Sequence, residues 1–116
     1  MLSYFFSREE FACKCGCGYD TVDAELLKVL EDIRKHFNSP ILISSATRCP
    51  EHNLNVGGSP TSQHLLGRAA DIVVKNTPAK DVYIYLKNKY KGKYGIGSYS
   101  NFTHIDTRGS ESRWYL

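Results

Sequence analysis

The sequence predicts an α+β domain, two main helices packed on a small antiparallel sheet. Three observations carry that expectation. Apolar residues recur at three- and four-residue spacings between Val22 and Phe37, as on one face of a helix. Short β-branched or aromatic runs bounded by turn residues follow it. No repeat, low-complexity tract or linker interrupts the 116 residues, of which 41% are hydrophobic and 23% charged, so a single domain spanning residues 1–116 is expected.

The elements follow in order. Ser7 and Glu10 form a capping box before "EEFAC", opening a short helix whose entrance Phe6 and Phe11 pack across, and the glycine-rich "CKCGCGYD" stops it. Asp23 or Thr21 caps the first main helix, which buries Val22, Leu26, Val29, Leu30, Ile33 and Phe37, and Asn38-Ser39-Pro40 closes it. "ILIS" at Ile41 to Ser44 reads as a buried strand. Ala46 to Thr61 holds Pro50, Gly57, Gly58 and Pro60 and reads as a long irregular loop, a length that goes with disorder or function. "AADIVVK" is a second strand. Thr77 caps and Pro78 starts the second main helix, with Val82, Tyr83 and Leu86 inward and an end near Gly92. Tyr94 to Gly97 and Phe102 to Thr107 are two further strands joined by "SYSN".

The formal net charge is +3, from 15 basic and 12 acidic residues scattered along the chain. This weak basic bias suits a polyanionic surface but is too diffuse for nucleic acid, which calls for a concentrated basic stripe. No apolar run approaches the roughly 18 residues of a membrane span. "MLSYFFSREEF" has no basic leader, long apolar core or small-residue cleavage site, so no signal peptide is expected.

The stretch "SQHLLGRAADI" concentrates the chemistry. His64 lies in the turn before the second strand and Asp71 on that strand. Gly67 is free to fold the chain back, and the alanines leave room. Zinc takes nitrogen and oxygen ligands, and a catalytic site supplies three while leaving a fourth position for water. A third candidate is His104, in "FTHIDTRG". Taken singly, His64 also reads as a loop histidine bound to water or backbone. Asp71 interrupts an apolar strand, so it must be paired, hydrogen-bonded or metal-bound.

Ser62, His64, Gly67, Ala69 and Asp71 fit the pattern Ser-x-His-x-x-Gly-x-Ala-x-Asp. In this the chain resembles the zinc peptidases that cut bacterial cell-wall peptides. These include D-alanyl-D-alanine carboxypeptidases and dipeptidases and the phage L-alanyl-D-glutamate endopeptidases, and the hedgehog signalling domain shares their fold. "SSATRCPEHN" is similar to the family's Ser-x-x-x-Arg segment, and "HIDTRG" to its last motif, so the likeness runs from about Phe6 to Gly109. The resemblance implies a hedgehog-like fold, zinc as cofactor and His64, Asp71 and His104 as its ligands. It implies that Arg48 holds a substrate carboxylate or the developing oxyanion, as a guanidinium suits. Ser62 and Gln63 are candidate substrate contacts, Ser62 equally a turn or cap residue.

The chain departs from the family at the general base, which in relatives is an acidic residue three positions before the last histidine ligand or a histidine two before it. Here those positions hold Asn101 and Phe102. Asp106 is the nearest substitute, since residues two apart on a strand share a face. It reads either as the catalytic base or as a carboxylate that orients His104 or pairs with Arg108. Tyr99 is a candidate for the groove wall.

Cys13, Cys15, Cys17 and Cys49 leave three readings open: free buried thiols, two disulfides in an exported protein, or one structural zinc site, for which single-residue spacers are short. His36, at a helix end where a cation suits the dipole, and His52 are expected to do no chemistry. The expected activity is hydrolysis of peptidoglycan stem or cross-link peptides by a monomer that binds no nucleic acid. Cytoplasmic synthesis with holin-type release, as for a phage lytic enzyme, would suit it. The alternatives are a non-catalytic zinc-stabilised binding domain and a D-alanyl-D-alanine dipeptidase.

Overall fold

A computed structural model describes residues 3–115; residues 1, 2 and 116 of the expected domain lie outside the described residues. The chain folds as the expected α+β arrangement: helices α1 (Ala24–Phe37), α2 (Pro50–Asn55) and α3 (Ala79–Lys89), with strands β1 (Ile41–Ser45), β2 (Ala69–Val74), β3 (Gly95–Ser98), β4 (Thr103–Asp106) and β5 (Ser112–Tyr115). The strands form one sheet in the order β1-β2-β4-β3-β5. Its first four strands pair antiparallel, and β5 adds to β3 in parallel.

Alternation along these strands gives the sheet two different faces. Ala70, Ile72 and Val74 of β2, Ile105 of β4 and Ile96 of β3 enter the core with Leu26, Val29, Leu30 and Ile33 of α1 and Val82 and Leu86 of α3. Each such aliphatic side chain contributes about 1.5–3 kcal/mol when fully buried. The other face carries Ala69, Asp71, His104 and Asp106 beside Gly95 and Gly97. The core therefore holds the sheet rigid beneath a polar surface.

The ends of α1 follow from local chemistry. The Asp23 carboxylate accepts from Leu26 N at 3.1 Å and from Thr107 Oγ1 at 2.8 Å, and Asn38 closes the helix in the left-handed conformation at φ 49°. At the N-terminus, Glu10 accepts from Ser7 N at 2.7 Å, and the Phe6 and Phe11 rings meet edge-on, though the element is a single 3-10 turn, Arg8–Phe11.

Three local expectations need correction. The loop Ala46 to Thr61 contains α2, whose first turn is capped by Cys49, with Pro50 at the first helical position. Cysteine is an unusual cap, so the signal was weak. Pro78 is itself the cap of α3, one residue later than the Thr77 reading, and Thr77 Oγ1 bonds to the Lys75 carbonyl instead. Strand β5 was not expected, because four half-buried residues that pair with a non-adjacent strand carry little periodic signal.

Gly67 is required twice. Its φ is +69°, and a Cβ there would lie 2.5 Å from the Thr21 carbonyl oxygen. Gly67→Ala is accordingly expected to destabilise the fold by about 2 kcal/mol or more, read as a lower urea midpoint at an unchanged denaturant slope.

Candidate metal centre

Each candidate ligand is held by a different element. His64 sits in a 3-10 turn, Gln63–Leu66, with Ser62 as its cap: Ser62 Oγ accepts from His64 N at 3.1 Å, which is the cap reading of that serine. The turn ends at Gly67, so the chain doubles back and enters β2. His64 Nδ1 lies 2.6 Å from the Ala46 carbonyl oxygen. A carbonyl only accepts, so Nδ1 carries the proton and the Nε2 lone pair is left facing Asp71 Oδ2 at 3.4 Å.

Asp71 and His104 are direct cross-strand partners on β2 and β4, and Asp71 Oδ1 lies 2.9 Å from His104 Nδ1. The other ring nitrogen, Nε2, donates to Asp106 Oδ2 at 2.7 Å. Both imidazoles thus have one nitrogen committed behind them and one turned inward. All three residues are buried, and their ligand atoms lie within 4.8 Å of one another. Two imidazole nitrogens and one carboxylate, each oriented by a partner behind it, fit zinc with a position left for water.

The charges of the cluster support one another. Burial would raise the Asp71 carboxyl, but its hydrogen bond with His104 and the neighbouring His64 imidazole hold it well below the usual carboxylate range. Burial would lower the pKa of His104, yet Asp106 and Asp71 on its two sides raise it. An anionic pair around one imidazole is a setting into which a divalent cation fits.

Asp106 does not stand where a catalytic base must. It is fully buried, and its oxygens are occupied: Oδ2 by His104 Nε2 and Arg108 Nη2, Oδ1 by Arg108 Nε, Arg108 N and Gly95 N, all at 2.7–3.2 Å. It shares a face with His104 as expected, but it lies behind the ring, on the side away from Asp71. Of the two expected readings of Asp106, the geometry fits the orienting carboxylate paired with Arg108. Burial works to raise its pKa, but Arg108 and His104 hold it well below the ordinary range.

In front of the cluster lies a half-open cleft of about 390 Å³, with Arg48, Ser62, Gln63, Tyr99, Phe102 and Trp114 among its walls. Arg48 Nη2 is 3.4 Å from Asp71 Oδ2, while Nε donates to Ser45 Oγ and Nη1 to Asn53 Oδ1, both at 3.1 Å. The β-bulge between Ile43 and Ser45 brings Ser45 opposite Asp71 and so within reach of Arg48. Gln63 reaches the cleft with its Oε1 buried and without a hydrogen-bond partner among the described residues. Tyr99 stacks on Phe102 at 4.3 Å and accepts from Trp114 Nε1 at 2.9 Å. His36 stacks on Tyr85 far from this chemistry, and neither it nor His52 joins a metal cluster among the described residues.

Sequence reasoning missed Asn53 and Trp114. Asn53 is 3% exposed and clamps Arg48, and a Cβ on Gly58 would strike its carboxamide. Trp114 lies over Gly97, where a Cβ would be 2.3 Å from the indole nitrogen. The signal available was "YGIGS": two glycines in one short strand mark the close approach of other groups, here Asp106 and Arg108 over Gly95 and the indole over Gly97.

An α+β scaffold that presents two histidines and a carboxylate at the floor of a cleft, with an arginine beside them, defines the class as a metal-dependent hydrolase. The family model described as peptidase M15 matches residues 4–106, and the chain belongs to that family of zinc peptidases. No curated protein matches it.

Proposed function

We propose that this zinc peptidase cleaves peptide bonds in peptidoglycan stem or cross-link peptides, with His64, Asp71 and His104 as the metal ligands. The observation that carries this reading is the pairing of Arg48 with the ligand cluster in a cleft that Ser62, Gln63 and Tyr99 also line. Stem peptides carry free carboxylates, which a guanidinium grips. Zinc bound here supplies Lewis acidity toward a scissile carbonyl and an acidified water. Arg48 holds the substrate carboxylate or the charge growing on the attacked carbonyl. Gln63 fixes the peptide register, and Tyr99, already accepting from Trp114, keeps its own O–H to donate. Asp106 maintains the proton on His104 Nε2 so that Nδ1 faces the metal position.

The test is digestion of purified peptidoglycan with mass spectrometry of the released fragments, before and after chelation and zinc return. Zinc-dependent release of peptides supports the reading, and a zinc-loaded protein that releases none overturns it. Arg48→Lys should keep the metal and lose about a hundredfold in kcat/KM, since a point charge cannot reproduce the guanidinium contacts.

One observation favours the second reading, a non-catalytic zinc-stabilised binding domain. Asp71 is the only carboxylate among the described residues that line the cleft, and Phe102 occupies the position two before His104. Peptidoglycan binding by the zinc-loaded protein without any cleavage would establish it.

A further inference from the structure

The four cysteines are not dispersed thiols. Cys13 is buried, Cys49 is half-buried and Cys15 and Cys17 are exposed, so of the three readings left open that of free buried thiols does not fit the last two. Their sulfurs lie within 4.8 Å of one another, with Cys13 to Cys15 at 3.4 Å, Cys15 to Cys49 at 3.6 Å and Cys13 to Cys49 at 3.8 Å. None of the four lines the cleft at His64.

We propose that Cys13, Cys15, Cys17 and Cys49 form a second, structural zinc site. A Zn–S bond of about 2.3 Å in tetrahedral geometry puts neighbouring sulfurs about 3.8 Å apart, close to the separations seen here. Disulfides bring sulfurs together in exclusive pairs, whereas Cys13, Cys15 and Cys49 each face the other two. The short spacers are no obstacle in this loop. Gly16 at φ +83° and Gly18 at φ +92° curl it, and Gly16 N bonds back to the Cys13 carbonyl at 3.1 Å, so alternate side chains turn to one point.

The backbone is arranged for thiolates. Cys49 N points to Cys13 Sγ and His52 N to Cys49 Sγ, both at 3.4 Å. Metal entry displaces the thiol protons to solvent and leaves sulfur-only coordination, the closed donor set of a structural site. Such a site would also brace the cleft. Cys49 follows Arg48 directly and caps α2, which carries Asn53, so the metal ties the loop at Cys13 to the segment that positions the cleft arginine.

Elemental analysis of the reduced full chain, saturated with zinc and desalted, tests the site. The wild type is expected to hold one equivalent more than a cleft alone can hold. His64→Ala should retain one equivalent, and cobalt substituted into that variant should show thiolate-to-cobalt charge transfer. Cys15→Ser/Cys17→Ser should lose that absorption together with one equivalent. The proposal is overturned if the wild type binds a single equivalent that His64→Ala abolishes, or if cobalt-loaded His64→Ala has no thiolate band. It is equally overturned if the protein, purified without reductant, has lost its thiol hydrogens by intact mass and, once reduced, takes up no second equivalent.

Discussion

His64→Ala is expected to fold, to lose the metal from the cleft and to fall at least about a thousandfold in peptide hydrolysis. Two magnitudes decide this. The imidazole is one of the three proposed protein ligands, and what remains is a carboxylate and a single histidine that already share a hydrogen bond at 2.9 Å. The ion's stabilisation of transition-state charge is several kcal/mol, and each 1.4 kcal/mol is tenfold in rate. The fold should survive, because His64 lies on a 3-10 turn outside the apolar core, and the main loss is one bond to the Ala46 carbonyl. Circular dichroism and the urea midpoint check the fold, and a fluorescent zinc chelator titrated against the protein checks the metal. Hydrolysis that persists in a folded variant with an empty cleft would refute the assignment of His64.

The two candidate ligands closest in sequence were the most legible. His64 and Asp71 lie on either side of one turn, and the glycine between them is the one that the tight contact with Thr21 demands. The meeting of Asp71 with His104 was not derivable from spacing. It depends on β4 inserting between β2 and β3, a strand order that local pattern does not encode; residue chemistry made His104 only a candidate, and the family likeness joined it to the other two. Two-residue periodicity placed Asp106 on the correct face but could not reveal its depth. That depth comes from Gly95 on the neighbouring strand, whose missing side chain makes room for the carboxylate and for Arg108. The helical faces were read well in their middles, where α1 buries Leu26, Val29, Leu30 and Ile33 and α3 buries Val82, Tyr83 and Leu86, whereas Val22, which precedes α1, and Phe37 at its end are only partly buried. α2 and β5 were lost for the opposite reason, being too short to show a period.

The sheet's two faces explain how so small a chain supports a polar cluster. The core face supplies rigidity through aliphatic packing, and the opposite face consists of Ala69, Gly95 and Gly97 around Asp71, His104 and Asp106. Small residues are not a weakness of that face. They create the volume that the ligands, Arg108 and Trp114 fill.

Asp106→Asn is the second large effect, and it separates an orienting residue from a base. The carboxylate presents acceptors in every direction: His104 and Arg108 donate to Oδ2, and Gly95 N and Arg108 donate to Oδ1. A carboxamide has one acceptor oxygen, so either choice of rotamer sets an NH2 group against a donor. With its NH2 toward His104, the imidazole must surrender the Nε2 proton and protonate Nδ1, the nitrogen facing Asp71. With its NH2 toward Gly95, Arg108 loses its two-pronged partner. Leaving a buried charge pair half-matched costs about 3 kcal/mol at the low end of such losses, since Arg108 keeps some contact with water, and a domain of this size should melt about 10 °C lower. Zinc affinity should fall about ten- to a hundredfold, as when other carboxylates behind metal-bound histidines are removed. At saturating zinc, hydrolysis should return largely to the wild-type rate with an unshifted pH profile, because Asp106 has no access to the cleft. If zinc affinity and melting temperature stayed at wild-type values while kcat collapsed and one limb of the pH profile vanished, Asp106 would be the base after all.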